Sequence, residues 1–583
     1  MKKKINEIQN IKSLLKLIFL KNKYKFSIVI IIMIISGFLE LISIGTIIPF
    51  LSSIAAPEVI LEMPQLTSIL AILNINKQNE LILYMTILFS SFAVISAIVR
   101  IINLRMMTHF AFRSGHETGV EVFTKILNKD FMEIQQFPSG EILNSVTRKA
   151  DSIIYENLFP ALTLINTIVL GAMILILLLI MEPLITFLAF IFITSFYLLI
   201  NNYVRAKLFT NSQIVVNESN RIIMGVQDSL GAIRDVILYK LQKSFIENYK
   251  NRDLNLRETQ AKNQIISSFP KFLVEALGMI VLAWIGYKYA SSKETSQLVI
   301  PVLGALAFGV QKLLPLVQQA FSALSNLKAG SVSLDDILQI ILTEQSHHHG
   351  TKTPTMKFLD NIKLREISFN YGNDENSVIF ENVNVDVKKG DRIGIVGVTG
   401  SGKSTLVDII SGLLTPSKGN ILIDDKKLNA ELKSAWQNNI AYVHQSIYII
   451  NGTLLENLSF LDSGSEINEN WAEKCINAAC LDSEILQKYG INEKSVGEGG
   501  HKLSGGQRQR LGLARALYRN AKVLILDEAT SAVDYQMEKK IMKNIYELDP
   551  DITIFIIAHR LESLRNCKTI WKVGNRQLEI QGE

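Results

Sequence analysis

The sequence predicts two unlike parts, an all-helical membrane domain in residues 1–325 and an α/β domain in residues 357–583, joined by a linker at 326–356. Of the 583 residues, 48% are apolar and only 20% are charged, against about 25% charged in an average soluble protein. The apolar excess lies before residue 325, and short apolar runs alternate with helical patterns after residue 357. That alternation favours a parallel sheet covered by helices.

Charge and cysteine content exclude other classes. The net charge of +6 is small for this length and gives no indication of nucleic acid as a partner. The three cysteines, Cys475, Cys480 and Cys567, lack the spacing of a zinc site. A disulfide scaffold is therefore excluded, and a soluble ATPase acting on nucleic acid is disfavoured by the apolar N-terminal half.

Six apolar stretches predict six transmembrane helices, because about 20 apolar residues cross a bilayer. The first stretch is too long for a signal peptide. Residues 1–25 contain eight Lys and one Glu, which places the N-terminus in the cytoplasm and, with six spans, the C-terminal domain as well. Residues 8–20 are predicted to form an interfacial amphipathic helix. The predicted spans are 26–54, 81–104, 158–181, 184–204, 267–289 and 298–323.

Two segments between the spans, 105–157 and 205–266, are too long for turns and have helical periodicity. As helical hairpins they would extend about 40 Å into the cytoplasm, with tips near 138–146 and 231–241, where Gly or Pro allows a reversal. Amphipathic hairpins that only cover a surface remain an alternative. Residues 57–73 are either a short external helix or a loop.

A phosphate-binding loop is predicted at residues 397–405, Gly-Val-Thr-Gly-Ser-Gly-Lys-Ser-Thr, between a strand at 392–396 and a helix. Its glycines let backbone N–H groups converge on phosphate oxygens, Lys403 reaches the β and γ phosphates, and Ser404 ligates Mg²⁺. This pattern predicts ATP or GTP binding. The predicted nucleotide contacts are Gly397, Gly400, Ser401, Gly402, Lys403, Ser404 and Thr405.

Two further segments fit a nucleotide site. The apolar strand at 523–527 ends in Asp527, predicted to ligate Mg²⁺, and is followed by Glu528, predicted to orient the attacking water; capping of the next helix is the alternative role for this pair. Residues 504–507, Ser-Gly-Gly-Gln, open a helix whose exposed N–H groups suit a second phosphate contact. A flexible glycine turn is the other interpretation of that segment.

The order of these segments resembles the ATP-binding cassette (ABC) superfamily. The matching elements are Tyr371, the loop at 397–405, Gln445, Leu-Ser-Gly-Gly-Gln at 503–507, Leu-Asp-Glu at 526–528, Ser-Ala-Val-Asp at 531–534, and His559. The resemblance implies that Tyr371 stacks on adenine and that Gln445 senses Mg²⁺ and water. It further implies that His559 contacts the γ-phosphate, so that Glu528, His559 and Gln445 form the catalytic set, and that Asp534 communicates across a dimer.

The resemblance also implies a dimer. In this superfamily ATP is held between the phosphate loop of one subunit and the residues equivalent to Ser504, Gly505, Gly506 and Gln507 of the other. One cassette and six spans resemble a half-transporter, which implies a homodimer with two composite ATP sites; pairing with a different chain stays open. Spans before the cassette resemble exporters of lipids, drugs or peptides, although Gly499 stands where Arg is usual after Glu498.

The predicted spans contain Glu40, Arg100, Lys271, Glu275 and Lys312. A charge at mid-bilayer costs about 2.5–3.5 kcal/mol on insertion scales, so it normally faces a cavity or a partner. Lys271 and Glu275, four residues apart, are spaced to pair. Arg100 and Lys312 have no partner nearby in sequence. Doubled in a dimer, Arg100, Lys271 and Lys312 are predicted to line a positive cavity that suits an anionic head group.

A narrower resemblance is carried by residues 38–50, by 138–143 (Pro-Ser-Gly-Glu-Ile-Leu), by 312–315 (Lys-Leu-Leu-Pro) and by the Gly-Gly after Glu498. These segments are similar to the PglK-like flippases of lipid-linked oligosaccharides. The resemblance implies transfer of a polyprenyl-diphosphate oligosaccharide to the outer leaflet of the cytoplasmic membrane. Export of peptides, drugs or other lipids is the alternative.

Overall fold

The computed structural model describes residues 7–55, 78–135, 137–181, 183–269, 299–342, 356–371, 378–460, 467–481, 483–529, 533–558 and 564–581, with a few residues between 272 and 287. The chain forms two compact units. Unit 1 comprises Met1–Lys129 and Ile134–Glu344, and unit 2 comprises Asp130–Glu133 and Gln345–Glu583. Four residues from the first half of the sequence thus belong to the second unit.

Unit 1 is helical along its described residues. Its helices, together with one π-helical turn at Ile153–Leu158, are α1 (Glu7–Gly45), α2 (Ile47–Ala55), α3 (Gln78–Leu127), α4 (Phe131–Gln135), α5 (Ser139–Val146), α6 (Arg148–Ser152), α7 (Phe159–Met181), α8 (Pro183–Gly231), α9 (Ile233–Leu238), α10 (Gln242–Ser268), α11 (Val299–Ala329) and α12 (Ser331–Leu342). The first three residues of α4 belong to unit 2, and its last two residues belong to unit 1.

Three segments of the described chain are long and apolar enough to cross a membrane, Asn22–Ala55, Gln78–Leu127 and Gly140–Ile180. They contain the first three predicted spans. The fourth and sixth predicted spans lie in α8 and α11. The fifth, at 267–289, and the segment 57–73 lie largely or wholly outside the described residues, so the count of six stays a prediction.

The first helix is not straight. Asn22 has φ −130° and ψ 40°, which is not helical, so α1 is bent there. The bend separates the segment predicted to lie at the interface, 8–20, from the apolar run that begins at residue 26. The side chain of Asn22 donates to Glu117 Oε2 at 2.6 Å.

One predicted hairpin tip is confirmed and the other is displaced. Helix α8 ends at Gly231, α9 is a short helix, and α10 starts at Gln242, as the prediction for 231–241 requires. In the first hairpin, however, α3 ends at Leu127 and residues 139–146 are already helical. The physical reason is Pro138, which precedes the first turn of α5 with φ −58° and ψ 133°, because proline favours helix starts.

The core of unit 1 lies where α1, α3, α7 and α12 meet. Its buried side chains include Met33, Phe110, Leu162 and Leu334. These residues are apolar all along the contact, as expected for helices that pack against one another.

Unit 2 contains two sheets. The strands are β1 (Asn361–Asn370), β2 (Val378–Lys388), β3 (Arg392–Val396), β4 (Lys418–Ile423), β5 (Lys426–Lys427), β6 (Ile440–Val443), β7 (Val523–Asp527), β8 (Thr553–Ile557), β9 (Thr569–Gly574) and β10 (Gln577–Gln581). One sheet has the antiparallel order β2-β1-β4-β5. The other has the order β10-β9-β3-β8-β7-β6 and is parallel except for β10. The predicted parallel α/β architecture is confirmed.

The helices of unit 2 are α13 (Lys403–Ile410), α14 (Ala430–Gln437), α15 (Leu454–Ser459), α16 (Glu469–Ala478), α17 (Ser483–Tyr489), α18 (Gly505–Tyr518) and α19 (Tyr535–Leu548). Strand β7 separates two cores: Leu524 and Leu526 pack with one, whereas Val523 and Ile525 pack with the other. A strand buried on both faces reads as a continuous apolar run. Its carboxyl end is the position of Asp527.

Candidate nucleotide-binding site

The phosphate loop connects the end of β3 at Val396 to the start of α13 at Lys403. Gly400 and Gly402 have φ of +82° and +100°, which L side chains rarely adopt. A Cβ at Gly402 would also lie 2.5 Å from Ile379 Cγ2. The glycines therefore allow a tight turn that directs the loop toward a helix N-terminus, the arrangement that binds phosphate.

Lys403 is buried and folds back over this loop. Its Nζ donates to the carbonyl oxygens of Gly397 and Val398, both at 3.0 Å. The hydroxyl of Ser401 is buried and has no hydrogen-bond partner within the described part of the chain. An orphaned hydroxyl beside a lysine and convergent N–H groups fits a phosphate oxygen, so these residues fit the predicted nucleotide.

The predicted magnesium ligands lie together. Ser404 Oγ donates to Asp527 Oδ2 at 3.1 Å, and the Tyr442 hydroxyl donates to the same oxygen at 3.4 Å. Burial, aided by the charge of Glu528, raises the pKa of Asp527. Burial and then the charge of Asp527 raise the pKa of Asp408 to about 6. This concentration of buried carboxylates favours a cation, and Mg²⁺ commonly takes one or two carboxylates together with phosphate oxygens.

The predicted catalytic carboxylate, Glu528, lies beside Gln445, which is predicted to sense Mg²⁺ and water. Gln445 Nε2 donates to Glu528 Oε2 at 2.7 Å, and the backbone N–H of Glu528 donates to the Ile557 carbonyl at 3.1 Å. Glu528 has φ +50°. A left-handed conformation costs a non-glycine residue roughly 1–3 kcal/mol and is found at functional sites. His559 lies outside the described residues.

Tyr371 is positioned by the loop itself. Its hydroxyl is 3.0 Å from Thr405 Oγ1, and its ring meets Phe369 edge-on, with 5.0 Å between centroids. The side chain remains exposed. An exposed, fixed aromatic ring suits stacking on a planar base.

The remaining predicted contacts are at helix N-termini. Ser504 caps α18: its Oγ accepts from the Gln507 N–H at 3.2 Å, and Gln507 Oε1 accepts from the Ser504 N–H at 2.8 Å. Asp534 caps α19 by accepting from the Met537 N–H at 3.0 Å. Ser504 and Gly505 are exposed, and Gly506 follows them in the first turn. These residues thus present a fixed helix start to solvent.

Sequence reasoning missed two side chains at the site, Tyr442 and Asp408, and an ion pair elsewhere in unit 2. Tyr442 joins Asp527, as described, and stacks on His444 with 3.9 Å between ring centroids. Burial raises the pKa of Tyr442, and the charge of Asp408, which lies on α13, raises it further. Lys433 pairs with Asp130 at 3.2 Å. An aromatic residue in an apolar strand looks like core, so the sequence carries no signal for Tyr442.

Three of the charges in the predicted spans lie together, on different helices. Glu40 Oε1 accepts from Lys312 Nζ at 2.9 Å and from Arg100 at 3.4 Å, and Ser96 Oγ donates to Glu40 Oε2 at 2.5 Å. Spacing along one helix does not reveal partners on different helices. Lys271, the third predicted cation, lies outside the described residues.

The chain is similar to known bacterial transport proteins over part of its length. Over 312 residues it is 33% identical to the alpha-hemolysin translocation ATP-binding protein HlyB of Escherichia coli O6:H1, covering 53% of this chain and 43% of that protein. Over 356 residues it is 28% identical to the ATP-dependent lipid A-core flippase of Wigglesworthia glossinidia brevipalpis, covering 61% of each. The aligned part therefore spans about half the length of these curated relatives.

A solved bacterial Atm1-family ABC exporter with ATP bound superposes with a TM-score of 0.78, covering 96% of this chain and 95% of that one at 17% identity, which establishes the fold. The family of ABC transporter transmembrane regions matches residues 26–308, and the ABC transporter family matches residues 380–531. The chain belongs to the ABC transporters and carries their helical transmembrane domain followed by their ATPase domain.

Proposed function

We propose that this protein is an ATP-driven exporter of the cytoplasmic membrane that moves a polyprenyl-diphosphate oligosaccharide from the cytoplasmic to the outer leaflet. The single observation that carries the ATP-driven part is the assembly of Ser404, Asp527, Glu528 and Gln445 at one end of the parallel sheet. In this proposal the N-terminus and unit 2 are cytoplasmic.

Hydrolysis follows from the roles of these side chains. The loop N–H groups and Lys403 hold the phosphates, and Ser404, Asp527 and Gln445 would hold Mg²⁺, which supplies neutralisation of the phosphate charge. Glu528 accepts a hydrogen bond from the attacking water and orients it. Gln445 fixes the Glu528 carboxylate at 2.7 Å, so that the water is aligned with the γ-phosphate.

A second copy of the chain completes the site. The helix start at Ser504 and Gly505 is exposed, and the N-terminus of a helix attracts phosphate. Placed against the ATP of a second subunit, Ser504, Gly505, Gly506 and Gln507 would close over the γ-phosphate. Asp534, at the start of α19, lies on the same kind of exposed helix start and would contact the other subunit.

The substrate is argued from charge and from relatives. Arg100 and Lys312 converge on one carboxylate, so the described cluster has one positive charge in excess, which favours an anionic head group over a neutral drug. A second lipid A-core flippase, from Colwellia psychrerythraea, is 27% identical over 393 residues, 67% of each chain. These relatives are named as flippases of lipid A-core, which supports a lipid as the substrate.

A peptide or protein exporter is the second candidate. The observation that favours it is the 33% identity to the hemolysin translocation protein, which is higher than the identity to the lipid flippases. The ATP site is common to both candidates, so it does not separate them.

The test is ATP-dependent translocation of a labelled polyprenyl-diphosphate oligosaccharide in proteoliposomes. Wild type and Glu547→Gln, which removes an exposed carboxylate paired with Lys543 on the same helix, should move the lipid. Glu528→Gln should bind ATP yet hydrolyse it about 10²–10⁴-fold more slowly and move none. ATP hydrolysis by wild type without lipid movement contradicts the lipid proposal and favours the peptide exporter.

A further inference from the structure

An ion cluster joins three helices of unit 1. Glu40 lies on α1, Ser96 and Arg100 lie one turn apart on α3, and Lys312 lies on α11. Glu40 is the common partner: Oε1 receives both cations, at 2.9 and 3.4 Å, and Oε2 receives the Ser96 hydroxyl at 2.5 Å. Lys312 Nζ also lies 5.4 Å from the centre of the Phe308 ring.

The charges in this cluster do not balance. One carboxylate serves two cations, and both of its oxygens are already in use. The side chain of Glu40 is 7% exposed, whereas those of Lys312 and Arg100 are 32% and 50% exposed. The excess positive charge is therefore carried by the two accessible side chains, and Arg100 retains guanidinium donors beyond the one directed at Glu40.

We propose that Glu40 is a counter-ion that sets the affinity of the site, because it holds Arg100 and Lys312 at one point and competes with an anionic phosphate-type head group for them. The proposal rests on the proposed function for the chemical class of the ligand. With Glu40 present, a phosphate group is attracted by a cluster whose net charge is only +1, and it has to displace part of the pairing between Glu40 and the two cations. Binding is weaker than at two bare cations, so the head group is also released.

The competition acts on anions alone. A neutral lipid offers nothing that replaces the carboxylate, so it leaves the cations paired with Glu40. An anion must take the cations over from Glu40, so the carboxylate lowers the affinity for every anion and leaves that for a neutral lipid unchanged. Glu40 therefore sets how tightly an anionic head group is held, whereas Arg100 and Lys312 supply the preference for an anion.

A purely structural ion pair predicts a different outcome. If Glu40 only locks α1 to α3 and α11, its removal weakens folding and every activity together. If Glu40 competes with the ligand, its removal leaves two cations uncompensated and strengthens anion binding. The affinity for an anion separates the two roles, because they change it in opposite directions.

The experiment uses the full-length protein in detergent with inorganic diphosphate as the probe, and the shift of the unfolding midpoint gives an apparent Kd. Every protein carries Lys403→Ala, so that diphosphate binding at the phosphate loop is weakened equally. Glu40→Gln should lower the apparent Kd about tenfold, the change expected from about 1.4 kcal/mol. Glu40→Gln combined with Lys312→Gln restores the net charge of the parent cluster, which is +1, and should return the Kd to that of the parent.

The matched control is Glu80→Gln, which removes the same charge near the start of α3, 16 residues and about 24 Å along the helix from Ser96. Its Kd should equal that of the parent. An unchanged or higher Kd in Glu40→Gln overturns the proposal. Should that variant fail to fold, Glu40→Asp, which retracts the carboxylate by one methylene, should lower the Kd by a smaller factor; no decrease again overturns it.

The two proposals fail separately. A lower diphosphate Kd in Glu40→Gln, with no translocation of the polyprenyl-diphosphate oligosaccharide by wild type, supports the counter-ion and refutes the proposed substrate. Translocation by wild type with no change of Kd in Glu40→Gln keeps the proposed function and refutes the counter-ion.

Discussion

One carboxylate oxygen of Asp527 accepts two hydrogen bonds, from the hydroxyl groups of Ser404 and Tyr442. Ser404 would be a ligand of Mg²⁺ in the proposed mechanism, and Tyr442 would then be the hydroxyl that orients the carboxylate. Groups that hold a metal ligand typically change metal affinity 10–100-fold when they are removed. Tyr442 is therefore a positioning residue for the metal rather than a member of the catalytic set.

We expect Tyr442→Phe to raise the Mg²⁺ concentration that half-saturates ATP hydrolysis by about tenfold. Binding of ATP in the absence of Mg²⁺ should stay the same, because the hydroxyl that is removed donates to Asp527, whereas Lys403 hydrogen-bonds to the loop. The measurement is a Mg²⁺ titration of hydrolysis beside nucleotide binding in a chelator. Tyr448→Phe, an exposed ring, is the control and should leave both unchanged; an unaltered Mg²⁺ requirement in Tyr442→Phe would refute the positioning role.

The cysteines give a prediction about pH. Burial raises the pKa of Cys475 to about 12 and, with a small opposing effect of Arg392, that of Cys567 to about 11, from an ordinary value of 9.0. Both thiols stay protonated in the folded chain when the unfolded chain ionises them. Their contribution to stability is thus present below pH 9 and is lost as the pH rises toward 11 and 12.

Thermal unfolding of the full chain should therefore show a midpoint that falls between pH 9 and pH 11. In Cys475→Ala with Cys567→Ala the fall should be smaller, because neither thiol is left to ionise. The same slope in both proteins would show that other groups cause the loss. Native alkylation at pH 8 gives an independent check, since Cys480 is half-buried and should react before Cys475.

Prediction from sequence worked for residues whose chemistry depends on their neighbours along the chain. Gly402, Lys403 and Ser404 are set by a strand, a turn and a helix within residues 392–410, so the motif predicted their arrangement. Glu40 and Arg100 are 60 residues apart, and Tyr442 and Asp527 are 85 apart. Such pairs depend on how elements pack, which no local pattern reveals.

At the scale of elements, the connection from β3 to α13 depends on backbone conformation. Gly402 combines φ +100° with a Cβ position 2.5 Å from Ile379 and 3.1 Å from Phe380. Any other residue at position 402 would have to adopt a strained backbone conformation, and its side chain would collide with strand β2. The loop and β2 must separate to admit it, and that movement displaces the groups that surround the phosphates.

Gly402→Ala should lower the free energy of unfolding by at least about 1–3 kcal/mol, the typical cost of the strained conformation alone, and weaken ATP binding. Gly574→Ala is the control, because nothing lies within 4 Å of its Cβ position and its φ is not positive. Denaturant unfolding and an ATP titration measure the two effects. Equal stability of the two variants would contradict the role assigned to the turn.

Element boundaries were harder to predict than element types. The strand at 523–527 and the turn after Gly231 agree with the structure because apolar runs and glycine mark them directly. The tip near 138–146 was wrong because Pro138 was interpreted as a reversal. Proline ends a helix that precedes it and is favourable at the start of the helix that follows. The sequence alone does not tell whether a proline marks a chain reversal or a helix start.

At the scale of the whole molecule, the proposed dimer makes the two ATP sites depend on both subunits. Each site would combine the phosphate loop of one subunit with Ser504 of the other. A subunit with a damaged loop and a subunit with a damaged Ser504 each form homodimers without an intact site. A mixed dimer of the two retains one intact site, built from the undamaged loop and the undamaged helix start.

We therefore expect complementation. In a Glu528→Gln background, which slows hydrolysis, Lys403→Ala alone and Ser504→Arg alone should fail to retain ATP on the purified protein. Ser504 is exposed, so arginine there displaces no buried neighbour, while its length and the loss of the Ser504 hydroxyl at the start of α18 disrupt the contact with a facing phosphate. Co-expressed with different affinity tags and purified through both, the two variants should retain one ATP per dimer. Retention of ATP by Ser504→Arg alone would exclude the helix start from the site. No ATP in the mixed dimer would refute the composite arrangement, because a site built from the loop and the helix start of the same subunit leaves no intact site in that dimer.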